Sequence, residues 1–176
     1  MLATSLFMIV FRFLHILSGA LWVGSAFLFV AFIGPSAADV GPAAGPLLSA
    51  AVKKRKVVKV ITALGGITVL AGWILWLRDM NAYGGLGDWL GSNFGVGITV
   101  GAVLATIAAF EGAILVGGNV ERLVDLGDEI AASGVPPSAE QQQRLEAIGH
   151  HLEVHGKIDI VLLVLAVTAM ATARYW

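Results

Sequence analysis

Cysteine is absent from the chain. Disulfides, thiolate metal sites and cysteine nucleophiles are therefore excluded. Charge is scarce as well: Asp, Glu, Lys and Arg make up 13% of the 176 residues, where a soluble domain carries about 25%. A net charge of −1 gives no basis for a nucleic-acid partner. Proline is rare, and its five copies fall within 35–46 and 136–137. Hydrophobic side chains fill the sequence instead, at 57%, which excludes a soluble enzyme. The length suits about one domain.

A membrane span needs roughly 20 apolar residues. Four stretches meet or approach that length: 6–33, 57–77, 95–118 and 158–173. The first is too long for the apolar core of a cleaved signal peptide and has no basic leader, so it reads as a retained helix. It is expected to stop at Gly34-Pro35. A polar loop with Asp39 and Pro42 follows, and Pro46 suits the first turn of the next helix. The glycines of 81–93 predict a loop with a short helix around Asp88-Trp89. Small residues at Gly97, Gly101, Ala105, Ala108 and Gly112 form one stripe of the third helix, which lets membrane helices approach closely. Past Gly118 the pattern turns amphipathic to about Ala132, and Ser133 to Pro137 breaks it. Ser138 and Gln141 make a capping box for a fourth helix over 139–173, which spans on the order of 50 Å. Its seam is Leu145, Ile148, Leu152, His155, Asp159 and Leu162. The expected fold is all-α: a four-helix transmembrane bundle, with helices three and four extended as a cytoplasmic helical hairpin over 119–157.

Orientation follows from the run Lys53-Lys54-Arg55-Lys56, because loops rich in Lys and Arg stay in the cytoplasm. With this connection inside, both termini face out. Eight of the eleven cations then lie inside, and Arg12, Arg78 and Arg174 do not. Trp73, Trp76, Tyr83, Trp89, Tyr175 and Trp176 form an aromatic belt toward the other face. A bacterial cytoplasmic membrane is the expected location and the lipid bilayer the first partner.

Ionisable groups inside apolar helices are functional candidates. Arg12, His15, Gly19, Trp22 and Ala26 lie within about 80° of one another on helix one. Either His15 hydrogen-bonds a neighbouring helix while Arg12 snorkels to headgroups, or His15 ligates a haem b iron. In the second case Arg12 and Arg174 pair with propionates, and Met170 or Met80 supplies another ligand. Glu111 lies roughly 12 Å above the inner end of helix three. It is either a neutral acid bonded to a neighbouring helix or a proton or cation carrier. His151 and His155 stand one turn apart, the spacing of a two-histidine metal site. Asp159 is expected within reach of His155, and Glu111 too deep to join them. By the same rise count His15 and His155 are about 25 Å or more apart, so one iron cannot take both.

The phrase RFLHILSGALWVG, Arg12 to Gly24, resembles the first helix of copper-resistance protein D-like domains and of HemJ-type membrane protoporphyrinogen oxidases. The shared pattern is Leu14-His15, Trp22 and Gly24. Along nearly its whole length the chain resembles a family of uncharacterised four-helix bacterial integral membrane proteins. That resemblance is carried by Gly41–Leu47, the basic start of helix two, Pro136–Gln141 and Met170–Trp176. The HemJ resemblance implies His15 as a haem ligand. The copper-related one implies copper held by His15 and a methionine. Three functions follow as expectations: a haem-binding redox protein, with quinone or porphyrin as its other ligand; an accessory subunit of a larger respiratory or photosynthetic complex; and a proton or cation pathway through Glu111, which calls for a homo-oligomer.

Overall fold

The computed structural model describes residues 2–175, with side chains from residue 6 onward. Trp176, counted above in the aromatic belt, lies outside the described residues. Helix α1 (Leu2–Leu28) passes through a π turn, Phe29–Ile33, into α2 (Gly34–Val40). A 3-10 turn (Gly41–Ala44), α3 (Gly45–Ser49) and a second π turn (Ala50–Lys54) follow. The remaining helices are α4 (Val57–Ala82), α5 (Leu86–Gly91), α6 (Asn93–Glu111), α7 (Gly118–Ser133) and α8 (Ala139–Thr172). A π turn, Gly112–Gly117, joins α6 to α7. Among the described residues there is no strand. Four helical runs are long and apolar enough to cross a membrane: Leu6–Lys54, Val57–Ala82, Asn93–Ser133 and Ala139–Tyr175. This is the composition of a multi-pass membrane protein in a lipid environment.

The expected loop between the first two helices is helical. Its prolines sit at the first or second position of successive helical turns, where an N–H has no intrahelical acceptor to lose. The second long helix accordingly starts at Val57 rather than Pro46. The chain breaks at Arg55-Lys56, where Lys56 is the one non-glycine residue with positive φ, 55°, among the described residues. Other expected boundaries hold. The short helix α5 covers Asp88-Trp89. Gly134, at φ 67°, ends α7 in the left-handed conformation. The Ser138 backbone N–H donates to Gln141 Oε1, and the Gln141 N–H donates to Ser138 Oγ.

The chain divides into two compact units. One comprises Met1–Val23, Ala63–Ala109 and Val161–Trp176. Here α1 meets α4 where the Trp22 indole lies over Gly65. A Cβ on Gly65 would stand 2.9 Å from the Trp22 ring. Helix α6 meets α8 through the small-residue stripe: a Cβ on Gly97 would stand 2.8 Å from that of Ala173, and one on Gly101 would stand 3.0 Å from the Ala166 carbonyl. Threonines satisfy the indoles. Trp76 and Trp89 both donate to Thr99 Oγ1, at 2.8 and 3.0 Å, and Thr99 donates to the Gly95 carbonyl. Trp73 donates to Thr106 Oγ1 at 3.0 Å. Trp89 is fully buried, ringed by Trp76, Tyr83 and Phe94 at centroid distances of 5.0–6.2 Å. It is a core residue, not the belt residue expected, because α5 folds its indole onto α6.

The other unit comprises Gly24–Thr62 and Phe110–Ile160. All of the α8 seam residues that fall in it, from Leu145 to Asp159, are buried or half-buried. Gly156 seats the Val30 side chain, and Gly117 faces Val58. The Lys53 ammonium bridges Asp125 and Asp128, each at 2.8 Å, and Ser49 donates to Asp128. These hydrogen bonds, from Lys53 first and Ser49 next, hold the Asp128 carboxyl below its usual range. The clasp is exposed, so its contribution to stability is small.

Steric closeness at α1 and α4 gives a paired test. Gly65→Ala should lower the melting temperature in detergent, overpacking of this kind costing about 1–3 kcal/mol. Gly66→Ala, where nothing lies within 4 Å of an added Cβ, should leave it unchanged or raise it. Equal melting temperatures for the two variants would contradict this packing.

Candidate functional site

The expected helix-one site is only partly assembled. The His15 ring packs against α4, 2.9 Å from where a Cβ on Gly72 would stand. Its Nδ1 lies 2.8 Å from the Thr68 carbonyl oxygen. A carbonyl only accepts, so Nδ1 carries the proton and the neutral ring's lone pair is on Nε2. His15 therefore bonds a neighbouring helix, as one of its two readings required. Beside it, Ser18 Oγ and Thr68 Oγ1 are 2.8 Å apart, and each also reaches a backbone carbonyl one turn back, Leu14 and Leu64. Trp22 and Ala26 are buried on the same face. Arg12 is exposed rather than packed with them, and the buried polar residue of this part of α1 is Ser18. Arg174 is also exposed, and Met170 lies over Gly101 of α6, whereas His15 packs on α4. Met80 is half-buried near the end of α4. A serine and a threonine inside apolar runs were the available signals for the α1–α4 contact.

The second cluster lies within the other unit, where α6 runs into its π turn and faces α8. Glu111 Oε1 is 2.8 Å from His155 Nδ1. The Glu111 side chain is 11% exposed and that of His155 26%. This corrects the expectation that Glu111 lies too deep to meet His155. Counting rise along each helix separately does not fix how α6 and α8 are set against each other, and their packing brings His155 level with Glu111. Asp159, one turn beyond His155, is buried at 4% exposure. Its carboxylate oxygens lie 3.3 and 3.4 Å from where a Cβ on Gly112 would stand. Two buried oxygens, Glu111 Oε2 and Asp159 Oδ1, have no hydrogen-bond partner. His151 stacks on His155 with ring centroids 5.8 Å apart. Among the described residues no group of three or more His, Asp or Glu is arranged to hold a metal ion. The expected set of His151, His155 and Asp159 is therefore not gathered; His155 instead turns its Nδ1 to Glu111.

Chemically, the Glu111–His155 contact holds one proton between a carboxyl and an imidazole. Either the imidazole N–H donates to a carboxylate, or a neutral acid donates to the ring. Both states use the same 2.8 Å geometry, so the proton transfers without a large movement. Comparison with protein-family models, with curated proteins and with solved structures finds no match.

Removing the imidazole should expose the cost of this pair. His155→Ala leaves Glu111 Oε1 buried and unpaired, which costs about 1–3 kcal/mol. Converting both Glu111 and His155 to Leu should recover most of that loss, because an apolar pair of similar volume replaces a buried polar one at little cost. Thermal denaturation in detergent measures both. A double variant no more stable than His155→Ala would contradict the assignment.

Proposed function

We propose that this chain is a multi-pass protein of the bacterial cytoplasmic membrane that moves protons through the Glu111–His155 pair. The observation that carries the reading is the 2.8 Å contact between these side chains, which joins an acid in the apolar run of α6 to a histidine just before the apolar part of α8. An ionised group at a helix centre costs about 2.5–3.5 kcal/mol on insertion scales. Glu111, kept in an apolar run against part of that cost and able to exchange one proton with His155, suits proton uptake and release. The positive-charge bias of 53–59 supports placing that segment in the cytoplasm, with both termini outside. It likewise supports a cytoplasmic hairpin formed by α7 and the first half of α8. Four spans are few for a conducting path, so the working form is a homo-oligomer or part of a larger complex. In liposomes, wild-type protein should dissipate an imposed pH gradient, and Glu111→Gln should fall to the rate of empty vesicles. Equal rates for wild type and Glu111→Gln would overturn the reading.

A second reading has its own observation. The His15 Nδ1–H bond to the Thr68 carbonyl is the kind of bond that orients a metal-ligating histidine and leaves Nε2 to bind. Haem b is the cofactor of this reading, and Trp22, Met170, Arg12 and Arg174 would surround it. Protein purified from its native membrane should then show a Soret band that is absent in His15→Ala. Colourless protein that also takes up no added haem would end this reading.

A further inference from the structure

Among the described residues no cation is paired with Asp159. Asp159 is 4% exposed, and its Oδ1 has no hydrogen-bond partner. The cations nearest along α8 are engaged elsewhere. Lys157 is 69% exposed and binds Glu153 at 2.6 Å, and His155 Nδ1 is held by Glu111. From the other helices of this unit, Val58 on α4 and Val30 next to α1 bring apolar groups to Gly117 and Gly156. Glu111, which ends α6, adds a second unpartnered oxygen, Oε2. Gly112 has no side chain to fill the space against the Asp159 carboxylate. A buried carboxylate with neither a hydrogen bond nor a counter-charge is unfavourable by several kcal/mol. Either a proton or a cation from outside relieves that.

The cation's class follows from the ligands. Calcium takes 6–8 oxygens, and magnesium demands a near-ideal octahedron. Zinc is held by three or four His, Cys or carboxylate groups, which are not gathered here. Two carboxylate oxygens, completed by water or backbone carbonyls, suit a small ion of single charge. We propose that Glu111 Oε2 and Asp159 Oδ1 are the anionic ligands of one Na+-sized monovalent cation. This deepens the proton-pathway reading and rests on it for the role of the site: the pair at Glu111 carries the proton, and Asp159 holds the coupled ion.

The test is Na+ binding to the purified full chain in detergent at fixed pH and constant ionic strength, with choline as the replacement ion. Saturable 22Na+ binding and a rise in melting temperature with Na+ are expected for wild type. Asp159→Asn should weaken binding about tenfold or more, a loss of about 1.4 kcal/mol or more. Gly112→Ala keeps both carboxylates, crowds Asp159 and should weaken binding less. It serves as the probe if Asp159→Asn does not fold. No saturable Na+ binding by folded wild type would overturn the proposal. So would stabilisation by Ca2+ but not Na+, or wild-type affinity in Asp159→Asn. The two readings fail separately. Proton flux that depends on Glu111 without Na+ binding removes only the cation site. Na+ binding without proton flux removes only the proton pathway.

Discussion

Inside a bilayer no water satisfies a polar group, so each N–H, hydroxyl and carboxyl must find its partner within the protein. This one constraint organises most of the side-chain geometry. Thr99 accepts from two indoles and donates to its own helix. Thr106 serves Trp73 in the same way. The His15 imidazole gives its proton to a backbone carbonyl of the next helix. Glu111 turns one oxygen to His155. Apolar burial alone discriminates little between helix arrangements when lipid is as apolar as the interior. These polar contacts, with the close approaches at Gly65, Gly97 and Gly101, give each interface a definite register.

Against that background the exceptions are what the proposed function rests on. The buried polar side chains of the His15 region are partnered. The Glu111–Asp159 region leaves two buried oxygens without one. The π turn at Gly112–Gly117 begins beside this cluster, and its glycine faces the Asp159 carboxylate. Distorted backbone, a carboxyl–imidazole contact and unsatisfied carboxylate oxygens thus coincide within one unit. The region that pairs its groups fully is suited to hold the fold. The region that does not is suited to take up something from outside.

Much of the architecture was legible in the sequence because it rests on local chemistry. The capping box at Ser138 and Gln141, the glycine stop at Gly134, the short helix at Asp88-Trp89 and the α8 seam each depend on residues a few positions apart. The small-residue stripe likewise marked a packed face, with Gly97 and Gly101 against α8. The helicity of 34–54 is not legible because proline reads as a stop, whereas at the start of a helical turn it has no intrahelical hydrogen bond to lose. Trp89 looked interfacial because composition does not reveal that α5 folds back. Helical angle groups Arg12 with His15, yet Ser18, about 120° from Arg12 around the helix, is the residue that points inward. The Glu111–His155 pair escaped because its two members are 44 residues apart and residue counts along one helix do not set its level against another. His155 and Glu111 each stand out in the sequence, but only the fold brings them into contact.

The claim on which the account stands is that Glu111 and His155 share a proton in the membrane-embedded protein. Solid-state NMR of isotopically labelled protein in lipid bilayers tests it directly. The account predicts a through-space correlation between the Glu111 carboxyl carbon and the His155 Nδ1 nitrogen, lost in Glu111→Gln, with an Nδ1 shift displaced by a strong hydrogen bond. A His155 ring that shows no correlation to Glu111 and exchanges freely with bulk water would contradict it.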